Sequence, residues 1–95
     1  MPLKTVPFDA ANFLKTPEEI ADYLEEAFAD GDPAFIAAAL GDAARAYGMT
    51  QLSKDTGLSR EALYRSLSKD GNPELATVMK VMGALGVRLK AVAPV

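Results

Sequence analysis

Residues 49–68 read MTQLSKDTGLSREALYRSLS and predict two short helices that meet at a corner, residues 57–59. The first helix is expected over residues 50–56. Gly57 suits a tight corner in which a side chain would clash. Ser59 can cap the second helix by accepting a hydrogen bond from a free backbone N–H. The pattern is typical of a helix-turn-helix, whose second helix lies in the major groove of DNA.

The two helices divide into an apolar and a polar face. Four leucines are expected to point into the protein: Leu52, Leu58, Leu63 and Leu67. The polar face of the second helix holds Arg60, Glu61, Tyr64, Arg65 and Ser68. Positions 61, 64, 65 and 68 follow the spacing of one helical stripe. The alternative interpretation is a plain helical hairpin with a solvated polar face.

Composition predicts one compact domain. The chain has 95 residues, of which 49% are apolar, enough for one packed core. It contains no run of about 18 apolar residues that would span a membrane, and no hydrophobic signal segment. Because cysteine is also absent, we expect a cytoplasmic protein without disulfides. The absence of Cys and His removes the usual zinc sites and the commonest general base.

Charge is unevenly distributed along the chain. Residues 1–48 contain three basic and nine acidic residues, a net charge of −6, whereas residues 49–95 contain seven basic and four acidic residues, a net charge of +3. The overall charge of −3 argues against nucleic acid, but the split suggests two partners of opposite charge. The alternative is ordinary fluctuation of charge along a chain.

Two helices are predicted before the helix-turn-helix. Thr16, Pro17 and Glu19 form a capping box with proline at the first helical position, and Asp32-Pro33 repeats this start. The apolar stripe of the first helix is Ile20, Tyr23, Leu24, Ala27 and Phe28. The stripe of the second is Ile36, Ala39, Leu40, Ala43 and Tyr47, with Ile36, Leu40 and Tyr47 expected in the core. Gly31 and Gly48 are expected to end these helices.

The first fifteen residues show no regular period. Phe8, Phe13 and Leu14 are expected to dock on the body of the protein. Alternatively, this arm reaches a partner.

The C-terminal part predicts one more helix and a strand. Asn72-Pro73-Glu74 is a third helix start, and Gly86 ends the helix. The apolar stripe is Leu75, Val78, Met79, Met82 and Leu85. Residues 87–92 alternate apolar and polar side chains, as a strand does. A lone strand needs a partner, and its copy in a second subunit is the best candidate; the alternative is a frayed, extended tail. The predicted fold class is all-α, with five helices and a short C-terminal β-strand.

The residues favour DNA binding over catalysis. The carboxylates of the first helix lie side by side rather than across a cleft, and no nucleophile with a base is present, so we expect no enzyme activity, no cofactor and no metal. Arg60 or Arg65 can bond a guanine edge, Glu61 a cytosine amine, and Tyr64 a thymine methyl or a phosphate. The expected phosphate contacts are Thr50, Gln51, Lys54 and Lys69.

Three motifs carry a resemblance to a known family. They read GDPAFIAAALGDAARA, GMTQLSKDTGLSREALYRSLS and GNPELATVMKVMGALG, and the likeness covers residues 8–90. The chain resembles the addiction-module antidote proteins, a branch of the Xre/Cro-like helix-turn-helix group with HigA-type antitoxins. Met49 departs from the wider group, in which many members carry a polar residue, often Gln, that buttresses the recognition helix.

The resemblance implies the antitoxin of a type II toxin–antitoxin module. Such a protein neutralises a small toxin of the RelE/ParE superfamily and, as a homodimer, binds operator DNA to repress its own transcription. The implied base-reading residues are Ser59, Arg60, Glu61, Tyr64 and Arg65, and the implied backbone contacts are Thr50, Gln51 and Lys54.

Three functional parts of one domain are therefore predicted. Residues 1–48 are the acidic part, whose Glu18, Asp22, Glu25 and Glu26 are hypothesised to face a basic toxin. Residues 49–68 are expected to form the helix-turn-helix, and residues 72–95 the dimer surface. Two rival functions remain: a stand-alone transcriptional repressor of the Xre type without a toxin, and an interaction module that has kept the fold without binding DNA.

Overall fold

Residues 13–94, the part that the computed structural model describes, form five helices and no strand. The helices are α1 (Pro17–Asp30), α2 (Pro33–Tyr47), α3 (Met49–Thr56), α4 (Arg60–Ser66) and α5 (Leu75–Leu85). The predicted all-α class and the number of helices are confirmed. None of these helices combines the length and the apolar character needed to cross a bilayer, the longest having 15 residues.

Local signals fix the starts of the first two helices. The Glu19 N–H donates to Thr16 Oγ1 at 3.1 Å, and the Thr16 N–H donates to Glu19 Oε1 at 3.0 Å, so the predicted capping box is present. The Asp32 carboxylate accepts from the Ala34 N–H at 3.0 Å and starts α2. Each cap satisfies backbone donors that have no partner within the helix.

Other helix boundaries differ from the prediction. Helix α3 begins one residue earlier, at Met49, and α4 ends at Ser66 rather than Ser68. Helix α5 begins at Leu75, because Glu74 has an extended backbone (ψ 155°) that leaves Pro73 outside the helix. No side chain caps the start of α5, so the predicted start at Asn72-Pro73 is wrong by two residues.

The core is organised around α2, which contacts every other helix. Its buried side is made mostly of alanine, which lets neighbouring helices approach closely: Ala37, Ala39, Leu40, Gly41, Ala43 and Ala44. Leu52, Leu63 and Leu67 are buried and Leu58 is partly buried, as predicted for the inward-facing leucines of residues 49–68. The apolar stripe of α1 also lies in or against this core.

Four apolar residues expected inside lie at the surface: Phe13, Tyr47, Leu75 and Met79. Tyr47 is 37% exposed because its hydroxyl reaches a carboxylate on α3, and Phe13 is exposed although its neighbour Leu14 is buried. Leu75 of α5 is 69% exposed. The buried residues of α5 are Val81, Met82 and Leu85, all in its C-terminal half, and Val78 in the N-terminal half is partly buried against the core. The predicted docking of Phe8 lies outside the described residues.

The predicted C-terminal strand is not formed within one chain. Residues 87–94 have no regular secondary structure, and their one backbone–backbone hydrogen bond runs from the Val87 N–H to the Met82 carbonyl oxygen at 3.0 Å. The physical reason is that the described part of the chain offers no second strand, and a lone strand cannot satisfy its own backbone groups.

Candidate nucleic-acid interface

The corner between α3 and α4 is held by glycine geometry and by hydroxyl groups. Gly57 adopts φ +76°, a left-handed conformation that strains other residues, and its N–H donates to the Ser53 carbonyl oxygen. The Ser53 hydroxyl donates to the Leu58 carbonyl oxygen at 2.6 Å. Ser59 then caps α4, since its Oγ accepts from the Ala62 N–H at 3.0 Å. These contacts fix the direction in which α4 leaves α3, and the predicted roles of Gly57 and Ser59 in the corner are confirmed.

The outer face of α4 is exposed and strongly polar. Ser59, Arg60, Glu61, Tyr64 and Arg65 are all exposed. The Arg60 guanidinium lies 5.8 Å from the centre of the Tyr64 ring, a distance at which a cation–π attraction operates. Neither arginine forms an ion pair with a described residue. Two guanidinium groups are therefore available to an external acceptor.

The remaining predicted DNA contacts lie on α3 and in the loop after α4. Thr50, Gln51 and Lys54 are exposed on α3, and Lys69 is exposed in the loop. Met49 is buried in the core cluster, so its side chain does not reach outward. Ser68 is half-buried and its hydroxyl donates to the Arg65 carbonyl oxygen at 3.2 Å, so it belongs to the end of α4 more than to its open face.

A polar cluster on α3 was missed by the sequence analysis. The Tyr47 hydroxyl donates to the Asp55 carboxylate, and Gln51 Nε2 donates to the same carboxylate at 2.9 Å. Two hydrogen bonds lower the pKa of Asp55: the one from Tyr47 has the larger effect and the one from Gln51 the smaller. The bond between Tyr47 and Asp55 also raises the pKa of Tyr47. The spacing 47, 51, 55 was the available signal, but Gly48 interrupts the helix between the first two.

This cluster changes what Gln51 can do at the surface. Its amide nitrogen carries two hydrogens, and one is committed to Asp55. The other stays available for a phosphate oxygen, while the bond to Asp55 fixes the orientation of the amide. Asp55 also places a negative charge beside Lys54, so the surface of α3 is less basic than the lysine alone suggests.

The acidic side chains of α1 have no basic partner among the described residues. Helix α1 contains six acidic residues and no basic residue. None of the six forms an ion pair with another described residue. The four hypothesised toxin-facing residues are all exposed: Glu18, Asp22, Glu25 and Glu26.

Apolar side chains are exposed in the C-terminal part. Leu75 and Met79 protrude from α5, and Leu89 and Val92 protrude from the tail, where Val92 is 74% exposed. Exposed apolar residues that recur along one part of a surface are typical of interaction sites. In contrast, no group of three acidic side chains within residues 13–94 is arranged to hold a metal ion.

Comparison with known proteins decides the family. The model of the family described as "Probable addiction module antidote protein" matches residues 4–93, nearly the whole chain. The chain belongs to this family. A protein of Haemophilus influenzae is 49% identical to this antidote over 83 residues, which are 87% of the chain and 86% of the relative, and it is described only as an uncharacterized protein. No solved structure matches the antidote.

The predicted resemblance is confirmed at the level of this family. An addiction module antidote acts against a cognate toxin, so a toxin is the partner that the family implies in general terms. The predicted roles of individual residues stay predictions.

Proposed function

We propose that this antidote is an Xre/Cro-like, HigA-type antitoxin that binds its own operator DNA as a homodimer, represses its transcription and neutralises a RelE/ParE-superfamily toxin by direct contact. The observation that carries the DNA-binding part is the outer face of α4. This capped helix presents Arg60 and Arg65, neither of them in an ion pair with a described residue, at the surface of a helix-turn-helix.

Base recognition is assigned to the exposed side chains of α4. Arg60 and Arg65 have the forked donor geometry that matches the two acceptors of a guanine edge. Ser59 and Glu61 flank Arg60 at the N-terminal end of the helix, which is the end that recognition helices direct at base edges, whereas Arg65 lies in the last turn. The Tyr64 ring lies within cation–π distance of the Arg60 guanidinium, and Tyr64 is assigned to contact a thymine methyl group or a phosphate.

Phosphate contacts are assigned to Thr50, Gln51, Lys54 and Lys69. Such contacts position a protein on DNA without reading its sequence. All four residues are exposed, and Gln51 is oriented by Asp55. Because the protein has a net charge of −3, its non-specific attraction to DNA is weak, so specificity must come from a few well-placed contacts and from dimerisation.

Dimerisation is assigned to the C-terminal part. A single short recognition helix makes few base contacts, whereas two such helices one DNA turn apart double them on a palindromic site. The exposed Leu75, Met79, Leu89 and Val92 provide apolar surface that contact with a second copy would cover. The tail has no regular secondary structure, and residues 88–94 make no backbone hydrogen bond to another described residue, so their backbone groups are available to pair as a strand.

Toxin binding is assigned to α1. Toxins that grip RNA need basic surfaces, and α1 supplies six acidic residues with no internal neutralisation among the described residues. The complex would form in the cytoplasm. No catalytic role for the antidote is part of the proposal.

Co-expression with the protein encoded next to the antidote gene tests the toxin part. We expect the two proteins to copurify, and the double variant Asp22→Lys/Glu26→Lys to weaken the complex at least about tenfold by losing favourable charge contacts. The matched control is Asp70→Lys/Glu74→Lys, which reverses two exposed acidic residues outside α1. Equal effects of both double variants would show that overall charge, rather than α1, determines toxin binding.

Two other outcomes would favour the rival functions. If no neighbouring protein copurifies while the antidote still binds its upstream DNA, the protein acts as a stand-alone repressor. If a toxin copurifies and no DNA binding is measured, the protein is an interaction module, a result that its overall acidity favours.

A further inference from the structure

An open groove runs between α1 and the C-terminal tail, residues 87–94. It has a volume of about 1120 Å³. Leu24 and Phe28 of α1, together with Met82 of α5, form its apolar part, and Glu25 lies at its edge. The opposite wall is the tail itself. Clefts for small molecules measure roughly 300–1,000 Å³ and enclose their ligand, so a groove that is larger and open suits a segment of polypeptide.

The tail, which forms one wall of the groove, offers unpaired backbone groups. Residues 88–94 make no backbone hydrogen bond to any other described residue. Exposed backbone edges of extended segments readily accept another strand. The occupant of the groove is therefore expected to pair with the tail through its main chain while it places side chains on the apolar part.

The tail has the chemistry that the groove requires. If residues 87–92 form a strand, Val87, Leu89 and Ala91 share one face and Arg88 and Lys90 the other. Val87 already packs against the core, so a strand would place Leu89 on that apolar face. Arg88 and Lys90 line the groove together with Glu25, the one acidic residue among its described lining residues. The tail carries no acidic residue, and α1 carries no basic one.

We propose that the groove receives residues 87–92 of a second copy of this chain, and that the two tails pair as antiparallel strands. In this arrangement the order across the interface is α1, the second copy's tail, the first copy's tail and the second copy's α1. The second copy's Arg88 and Lys90 then lie beside Glu25. This proposal rests on the proposed dimeric function and specifies its interface.

The two-fold symmetry of this arrangement selects a second copy over another protein. Each tail fills the groove of the other chain. A single two-fold interface therefore fills both grooves. Pairing of the two tails also leaves no strand edge between them. The exposed Leu89 is covered in both copies at once.

Neighbouring acidic residues on α1 receive different roles. Ala21, Glu25, Phe28 and Ala29 line the groove, and they recur at the spacing of one helix face. Glu26 is the next residue along and points about 100° further round the helix. Glu26 is exposed and does not line the groove. Glu25 therefore serves the dimer, and Glu26 stays open to the toxin.

Sedimentation equilibrium on the full chain tests the inference. We expect Glu25→Lys and Arg88→Glu/Lys90→Glu each to raise the dimer dissociation constant at least about tenfold, because every change occurs twice in a two-fold interface. Glu26→Lys is the matched control and should leave the constant within about twofold, as is usual for an exposed charge outside the interface. The variant that combines Glu25→Lys with Arg88→Glu/Lys90→Glu restores opposite charges and should recover most of the affinity.

Amide hydrogen exchange provides a second measurement. In the wild-type dimer, amides of residues 88–92 should be protected, and Glu25→Lys should remove the protection while α2 stays protected. A wild-type dimer that is insensitive to the tail and Glu25 variants but is broken by Leu75→Lys would overturn this interface and leave the dimeric repressor intact. Tail variants that lower affinity for the toxin without changing the dimer would instead make the toxin the occupant. A wild-type chain that stays monomeric even when bound to operator DNA would overturn the dimer itself.

Discussion

The Leu67 carbonyl group lies directly over Gly41 of α2. A methyl group built on Gly41 would stand 2.1 Å from the Leu67 oxygen, far inside van der Waals contact. Leu67 is the residue that caps the C-terminal end of α4. The absence of a side chain at Gly41 therefore sets how closely α4 packs on α2 at the centre of the core.

Gly41→Ala is expected to destabilise the protein by about 1–3 kcal/mol, because the clash involves a backbone atom and α4 must move to relieve it. Urea denaturation measures the change. Gly83→Ala in α5 is the matched control, since no described residue outside the adjoining turns of α5 lies within 4 Å of the added methyl group. Alanine is the better helix former, so the control should stabilise by about 0.5–1 kcal/mol. A neutral Gly41→Ala would show that α4 is not seated by this contact.

Ser59→Ala is expected to lower the free energy of unfolding by about 1 kcal/mol, because the Ala62 N–H loses its acceptor. Ser59→Asp retains an acceptor at the same position and should keep most of the stability. Thermal unfolding of the three proteins measures the difference. If the alanine and aspartate variants were equally stable, the cap would contribute nothing to α4.

Tyr47→Phe is expected to make stability less dependent on the charge of Asp55. The bond to Tyr47 lowers the pKa of Asp55. The hydrogen bond therefore contributes fully to the free energy of unfolding above the unfolded-state pKa of Asp55, about 3.9. This contribution is lost as the pH falls through the lower folded-state pKa of Asp55. The Tyr47 pKa is raised, so the contribution is also lost as the pH rises above about 10.

The difference in unfolding free energy between wild type and Tyr47→Phe should thus be constant between about pH 3.9 and about pH 10, and it should become smaller below and above this range. NMR titration of the Asp55 carboxyl carbon gives the direct readout, with the pKa rising in Tyr47→Phe. Tyr64→Phe, which removes a hydroxyl on α4, is the control and should leave Asp55 unchanged. An Asp55 titration that is identical in wild type and Tyr47→Phe would contradict the observed contact.

Lys54→Ala is expected to weaken binding to specific and unrelated DNA by a similar factor, because a phosphate contact carries no sequence information. The slope of log K against log salt concentration should fall by about 0.9 per dimer subunit that loses a contact. Fluorescence anisotropy at several salt concentrations measures both effects. If Lys54→Ala lost affinity only for the specific site, Lys54 would recognise a base rather than contact a phosphate.

The sequence predicted the features that depend on local signals. The cap at Ser59 and the capping box at Thr16 were predictable because such motifs act within one helical turn. The inward leucines followed from periodicity, and the family followed from the motifs around them. The start of α5 was mispredicted because Asn72-Pro73 imitates a start signal that the chain does not use.

Features that depend on distant contacts were not predictable. The exposure of Tyr47 follows from a carboxylate on the next helix, and periodicity alone assigned it to the core. The seating of Leu67 on Gly41 joins residues 26 positions apart. The groove exists only because the tail returns alongside α1, which no local pattern encodes.

The central claim is that α4 reads an operator through its two arginines. Anisotropy titrations with DNA from upstream of the antidote's own coding region, against a scrambled duplex, test it most directly. We predict that wild type prefers its own DNA by at least about 10³-fold. Arg60→Ala and Arg65→Ala should each cost about 1–3 kcal/mol of that preference, roughly a fivefold to 150-fold loss, while the fold and the dimer are retained. Equal affinity of wild type for both duplexes, or full preference in both variants, would contradict the claim.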